Sequence, residues 1–165
     1  MANIIYDLQM PRVALECRIM TANEMWLMFC AKNRPETNKY EAWAFGGAPD
    51  KLASLVLDGS KTATASAYDL YAYDNEEIPK PGDYSVILDS ADNAICVIRD
   101  TSVSVVTFKD VDAHHARCEG EGDLSLDYWR EIHRELFTQW LDEAGLEFSE
   151  DMPVVLETFE VVFRP

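Results

Sequence analysis

Apolar residues first recur at helical spacing at Met25, Trp26, Phe29 and Cys30, which predicts a helix from Thr21 to about Asn33. Thr21 and Glu24 stand three apart, the spacing of a capping box. Asn33-Arg34-Pro35 ends the run. Tyr40 to Phe45 alternates weakly and reads as a strand closed by Gly46-Gly47. Pro49-Asp50 opens a short helix carrying Leu52, Leu55 and Val56, with Gly59 as its stop. Beyond Gly59 the period becomes two. Lys61 to Ala67 reads as a Thr-rich strand, and the aromatic stretch Tyr68 to Tyr73 fits no single element. Pro79 to Asp83 is a turn by composition. Tyr84 to Asp89, Ala94 to Arg99 and Ser102 to Phe108 follow as three antiparallel strands. A helix is expected from Val111 to Arg117, then a loop over Glu119 to Asp123. The longest helix runs from Ser125 to Ala144 with Trp129, Ile132, Leu136, Phe137, Trp140 and Leu141 as its apolar stripe, and Gly145 as its cap. Met152 to Phe163 closes the chain as a strand. The pattern is α+β: a small β-barrel of about five or six mostly antiparallel strands with peripheral helices.

Composition narrows the class. With 165 residues, 48% of them hydrophobic, the chain holds enough for one sizeable core. No apolar run approaches the roughly 20 residues of a membrane span, and the first residues lack the basic-then-apolar order of a secretory leader. Cys17, Cys30, Cys96 and Cys118 show no pairing motif, so reduced thiols in a soluble, cytoplasmic domain are expected. Charge adds more. The net is −16, and from Glu119 to Pro165 there are 13 acidic residues against three basic ones. Affinity for nucleic acid draws heavily on Lys and Arg, so long DNA or RNA is disfavoured. A small nucleoside-like ligand or a short RNA stays open, and no membrane partner is expected.

Two stretches could carry chemistry. In Gly59-Ser60-Lys61-Thr62-Ala63-Thr64 a glycine frees the chain from a helix, and a lysine with hydroxyls follows. A desolvated lysine beside a hydroxyl acts as a base or holds an anion, while the plainer reading is a solvated lysine among β-favouring threonines. The Gly-Lys-Ser/Thr spacing of a phosphate-binding loop is absent. In His114-His115-Ala116-Arg117-Cys118-Glu119-Gly120-Glu121-Gly122-Asp123, His114 and Cys118 share a helical face. Two ligands on one helix make a weak metal signal, and no metal or cofactor is implied. Glu119 reads as a carboxylate at a helix end, or as part of an acidic loop. Tyr68, Tyr71, Tyr73, Trp43 and Trp129 are candidates for stacking on a base, although core packing explains each alone. His133, four positions after Trp129, fits packing as readily as catalysis.

Together these stretches resemble the ASCH-domain family, a branch of the PUA-like barrel superfamily. The likeness rests on Leu57 through Thr64, on Pro81-Gly82-Asp83 opening a strand, and on His115 through Glu119, continuing through Gly120-Glu121-Gly122-Asp123 to Arg130 and His133. It covers Thr21 to Phe163, so residues 1–20 are expected to be an N-terminal extension and 21–165 the ASCH domain. Ile4, Ile5, Tyr6, Val13 and Leu15 would add a strand, meet the partner in a homodimer, or form a tail. The resemblance implies a β-barrel with peripheral helices, a cleft receiving both the Gly-x-Lys segment and the acidic loop, and work around RNA, as a binding module or an enzyme. In a hydrolytic branch, deacetylation of N-acetylated cytidine is attributed to a Lys, a Thr and a Glu; the matching positions are Lys61, Thr64 and Glu119. Ser60, Tyr68, Trp129 and Arg130 are the expected substrate contacts.

The implied activity is an amidohydrolase of a small amide-bearing nucleoside. The alternatives are a non-catalytic nucleotide or short-RNA module, and a metal-dependent ribonuclease built on Glu119, Glu121 and Asp123. The hydrolytic reading sets a geometric condition. In a regular strand Lys61 and Thr64 point to opposite faces, so Lys61 must sit in the turn before the strand, or a bulge must intervene.

Overall fold

The computed structural model describes residues 19–165. Strands β1 (Glu41–Ala44), β2 (Ala63–Ala67), β3 (Tyr84–Leu88), β4 (Ala94–Thr107) and β5 (Pro153–Phe163) form one sheet in the order β1-β3-β4-β5-β2. β1 runs parallel to β3, and the other three pairings are antiparallel. The sheet curls into a half-barrel flanked by α1 (Ala22–Asn33), α2 (Pro49–Asp58), α3 (Tyr68–Asp74), α4 (Ala113–Glu119) and α5 (Leu126–Glu143). This is the expected α+β architecture.

Local chemistry sets the boundaries. Thr21 and Glu24 close a reciprocal capping box at the start of α1, and Arg34 ends it in the left-handed region. Gly59 takes the same conformation after α2, at φ +85°. The side chains of Asp112 and Ser125 accept from His115 N and Tyr128 N at the starts of α4 and α5.

Successive residues of the central strands bury opposite ways, so each face of the sheet has its own cover. Val86, Val97 and Phe163 pack under Met25, Trp26 and Phe29 of α1. Their neighbours Ile87, Cys96, Ile98 and Phe159 pack under Leu52, Ala53 and Val56 of α2, with Phe45. Phe108, Trp129, Phe137, Leu141 and Val154 join α4 and α5 to the β2–β5 end. Each large buried side chain contributes about 1.5–3 kcal/mol.

Three expectations are corrected. Ala94–Arg99 and Ser102–Phe108 are one strand, because a register shift between Asp100 and Ser102 carries β4 through its polar middle. Tyr68–Tyr73 lies in a helix, α3, with no buried residue. β2 begins at Ala63, leaving Lys61 and Thr62 in the connection from α2. Met20, assigned to the extension, packs in the core at 6% exposure and accepts a hydrogen bond from Ala94 N at 2.7 Å. The expectations for Ile4, Ile5, Tyr6, Val13, Leu15 and Cys17 fall outside the described residues. Among the described residues no helix is long and apolar enough to cross a membrane.

Candidate active site

Two helix ends meet at Lys61. α2 stops at Gly59, and Lys61 N bonds back to Leu55 O at 2.9 Å. Thr62 N donates to Cys118 O on α4 at 2.8 Å, and Phe159 N donates to Thr62 O at 2.9 Å. α4 stops at Gly120, φ +73°, where a Cβ would fall 2.4 Å from Ser60 O. A side chain at that position would hold the α4 terminus away from Ser60-Lys61. Glycine permits the approach that brings Glu119 to Lys61.

The side chains form a buried polar knot. Lys61 and Glu119 are each 1% exposed. Lys61 Nζ donates to Glu119 Oε2 at 3.1 Å and to Glu121 Oε1 at 2.7 Å, with a longer contact of 3.5 Å to Glu119 O. Its ammonium also stands 5.1 Å from the centre of the Phe45 ring. Glu119 Oε1 accepts from Trp129 Nε1 at 2.7 Å and pairs with His115 Nε2 at 3.0 Å. Burial pushes the Glu119 carboxyl upward, but the Lys61 ammonium and the His115 hydrogen bond outweigh it and hold the group well below the usual carboxylate range. Glu119 is a fixed anion, engaged through both oxygens.

His133 completes the arrangement from α5. Its ring stacks on Trp129 at 4.1 Å, and Nδ1 lies 2.9 Å from Trp129 O. A carbonyl only accepts, so Nδ1 carries the hydrogen and Nε2 of the neutral ring holds a lone pair. Burial lowers the His133 pKa, against the opposing pull of Glu119, which keeps the ring neutral at pH 7.

Lys61, Thr64, Glu119, Glu121 and His133 line one cavity of about 50 Å³, bounded by Phe45, Leu136 and Trp140. Of two larger depressions, one of about 610 Å³ adjoins the site through Gly59, Lys61 and Thr62 and one of about 650 Å³ lies away from it, and neither is lined by Thr64, Glu119 or His133. Lys61 sits in the turn before β2, so its odd offset from Thr64 raises no conflict of faces. The Thr64 hydroxyl has no hydrogen-bond partner among the described residues.

The other expected contacts lie elsewhere. Ser60 is exposed, and its backbone carbonyl is the part that faces the α4 end. Tyr68 stands at the start of α3, 38% exposed and away from the cavity lining. Arg130 turns its Nη2 to Lys109 O at 2.9 Å. Trp129 is 3% exposed and serves Glu119 through its indole N–H, so its ring is no platform for a base. The trio Glu119, Glu121 and Asp123 does not gather on one point: Asp123 bonds Ser125 N on the surface, and no group of three His, Cys, Asp or Glu among the described residues could hold a metal ion. Cys118 Sγ lies 3.7 Å from His114 Nε2, at the expected four-residue spacing.

Two buried acids, Asp100 and Glu157, were not singled out from the sequence, yet Glu157 lies directly across from Thr64 in the β2–β5 ladder. The alternation Val155, Glu157, Phe159 was the available signal, since it sets a carboxylate in phase with apolar inward positions.

Comparison with known proteins agrees with this architecture. The family model for the ASCH domain matches residues 41–163. An ASCH domain from Lactobacillus crispatus JV V101 is similar at 33% identity, covering 87% of this chain and 94% of that one, with a TM-score of 0.81. A protein of Enterococcus faecalis V583 is similar at 35% identity over 86% of this chain and 87% of that one, with a TM-score of 0.78. No curated protein matches the chain. With a match over most of its length and two close structural relatives, the chain belongs to the ASCH-domain family.

Proposed function

We propose that this protein is an amidohydrolase acting on a small amide-bearing nucleoside of the N-acetylated cytidine type. The reading is carried by one observation: Lys61, Thr64, Glu119 and His133 reach a single cavity from four separate elements of the chain. That cavity suits an acyl group, with the rest of the substrate outside it.

Each group has a role that its surroundings allow. Thr64 Oγ attacks the amide carbonyl carbon while its proton passes to His133 Nε2, the ring nitrogen not engaged by the Trp129 carbonyl, where the imidazolium formed stands 3.6 Å from the Glu119 carboxylate. Negative charge gathers on the carbonyl oxygen. Lys61 meets it with the N–H held only by the 3.5 Å contact to Glu119 O, because the other two are fixed by Glu119 and Glu121. The carbon–nitrogen bond then breaks, and the imidazolium returns its proton to the departing amine. Water, deprotonated by His133, cleaves the threonyl ester to release acetate and restore Thr64. Glu119 is a positioning residue that holds Lys61 from one side and engages Trp129 and His115 from the other.

The test is acetate release from a panel of N-acylated nucleosides, N-acetylated cytidine first. Turnover by the wild type that falls by about a hundredfold or more in Thr64→Val and His133→Gln supports the reading. Folded wild-type protein that leaves the whole panel intact overturns it; nucleoside binding without turnover would then identify a binding module.

A further inference from the structure

The inner face of the sheet carries polar groups that the hydrolytic steps leave unused. Asp100 on β4 and Glu157 on β5 are 6% and 8% exposed. Neither carboxyl receives a hydrogen bond or ion pair from a described residue, and their oxygens keep a path to solvent. The register explains why they share a face. Glu157 lies opposite Thr64 and Val103, and Asp100 lies opposite Phe159, two positions further along β5. The shift between Asp100 and Ser102 re-phases β4, so Asp100 and Val103 both stand on the Glu157 side.

The charges that act on the two carboxyls are themselves carboxylates. Glu41 from β1 and Asp83 before β3 act on both groups, and Glu119 from α4 acts on Glu157. Glu157 in turn acts on the Tyr71 hydroxyl of α3, which bonds Ser66 at 2.7 Å. Burial first, then these carboxylates, raise Asp100 to about 7 and Glu157 to about 8. Asp83 O accepts Asp100 N at 3.0 Å, and Asp83 also lines a neighbouring groove of about 650 Å³ that holds Glu41, Glu76 and Glu77 together with Lys39 and Lys80 and is not lined by Asp100 or Glu157.

Two neighbouring buried carboxyls without partners destabilise a fold, and apolar residues would pack there at less cost. A ligand supplying N–H donors and positive charge would satisfy both. We propose that Asp100 and Glu157 form a subsite for a small organic cation carrying N–H donors, of the amidinium, guanidinium or ammonium class. An N–C–N group presents two parallel donors to one carboxylate and leaves others for the second. The same face repels phosphate. Glu157 lies across from Thr64 in the β2–β5 ladder, so the cation is held beside the hydroxyl, in addition to the neutral substrate of the hydrolytic reading and independent of it.

The experiment measures binding alone, so it stands or falls apart from turnover. The intact protein, labelled with ¹⁵N, is titrated with benzamidinium and with benzamide, its neutral counterpart of the same shape. Benzamidinium is expected to bind about tenfold or more tightly than benzamide, and to shift amide signals around Asp100 and Glu157. Asp100→Asn and Glu157→Gln each weaken it by about tenfold. In the wild type the affinity rises from pH 6 to pH 8.5 as the two carboxyls lose their protons. Equal binding of the two probes, shifts confined to other surfaces, or affinity unchanged in both variants would overturn the subsite. The comparison of probes and the pH series need no variant. A protein that binds benzamidinium here but releases no acetate keeps the subsite and loses the hydrolytic reading; the reverse result loses the subsite alone.

Discussion

Removing Lys61 should cost far more stability than removing any surface lysine. The ammonium is 1% exposed and faces Glu119, also 1% exposed, at 3.1 Å. Lys61→Met keeps the length and apolar stem but leaves the Glu119 anion uncompensated. Breaking a buried pair from one side costs about 3–5 kcal/mol. Glu121, 20% exposed on its side chain, can rehydrate and adds little. Lys109→Met, which removes an exposed pair with Asp151, should leave stability close to the wild type, because water screens such a pair. The double variant Lys61→Met/Glu119→Gln removes both charges and should recover much of the loss.

The pH dependence has a fixed sign. In the wild type the Glu119 carboxyl is held low, so its contribution is present above the unfolded value and fades as pH falls through the folded one. Without Lys61, burial dominates and raises the same carboxyl, so the variant is penalised at neutral pH and relieved as the group protonates. Urea denaturation at pH 7 and pH 5 reads both effects: the gap between wild type and Lys61→Met should narrow at the lower pH. A Lys61→Met loss as small as that of Lys109→Met would refute the buried-pair argument. So would a double variant less stable than either single one.

Gly120→Ala places a Cβ 2.4 Å from Ser60 O at φ +73°, which should cost roughly 3 kcal/mol or more in thermal unfolding; acetate release should fall with it as Glu119 loses its place beside Lys61. Gly59→Ala, at φ +85° with open space around it, should cost only about 1–2 kcal/mol. Glu157 titrates near 8 in the fold, so its contribution is fully present below the unfolded value and is lost as pH rises through about 8. Wild-type stability should therefore fall between pH 5 and pH 9, and Glu157→Gln should flatten that fall by roughly 2–4 kcal/mol, read by urea denaturation across the range.

The helix ends were legible because their chemistry is local. Thr21 with Glu24, Pro49 with Gly59, and Ser125 each act within one turn of chain. β4 was not legible as one strand. Its alternation changes phase at Asp100–Ser102, and a phase change reads as a break when the partner strand is unknown. The Gly-x-Lys segment and Glu119 were marked by residue type and by resemblance, but their contact spans 58 positions and depends on two helix ends abutting. Trp129 was expected to stack on a base, since nothing local reveals that its N–H is spent on Glu119. His133, four positions after Trp129, fits packing and catalysis alike in the sequence. Its position on the cavity follows from α5 packing, which the apolar stripe predicts only as a buried face. Asp100 and Glu157 were hidden for the opposite reason: a buried unpaired carboxylate runs against the patterning rules, and such violations mark the places where function overrides stability.

The most direct measurement is single-turnover acetate release from N-acetylated cytidine by wild type, Thr64→Ser and Thr64→Val. The Thr64 side chain makes no hydrogen bond to a described residue, so both variants should keep the wild-type unfolding midpoint. The account predicts that Thr64→Ser, which keeps the hydroxyl, retains activity within about tenfold, while Thr64→Val loses about a hundredfold or more. Release by Thr64→Val at the wild-type rate would contradict it.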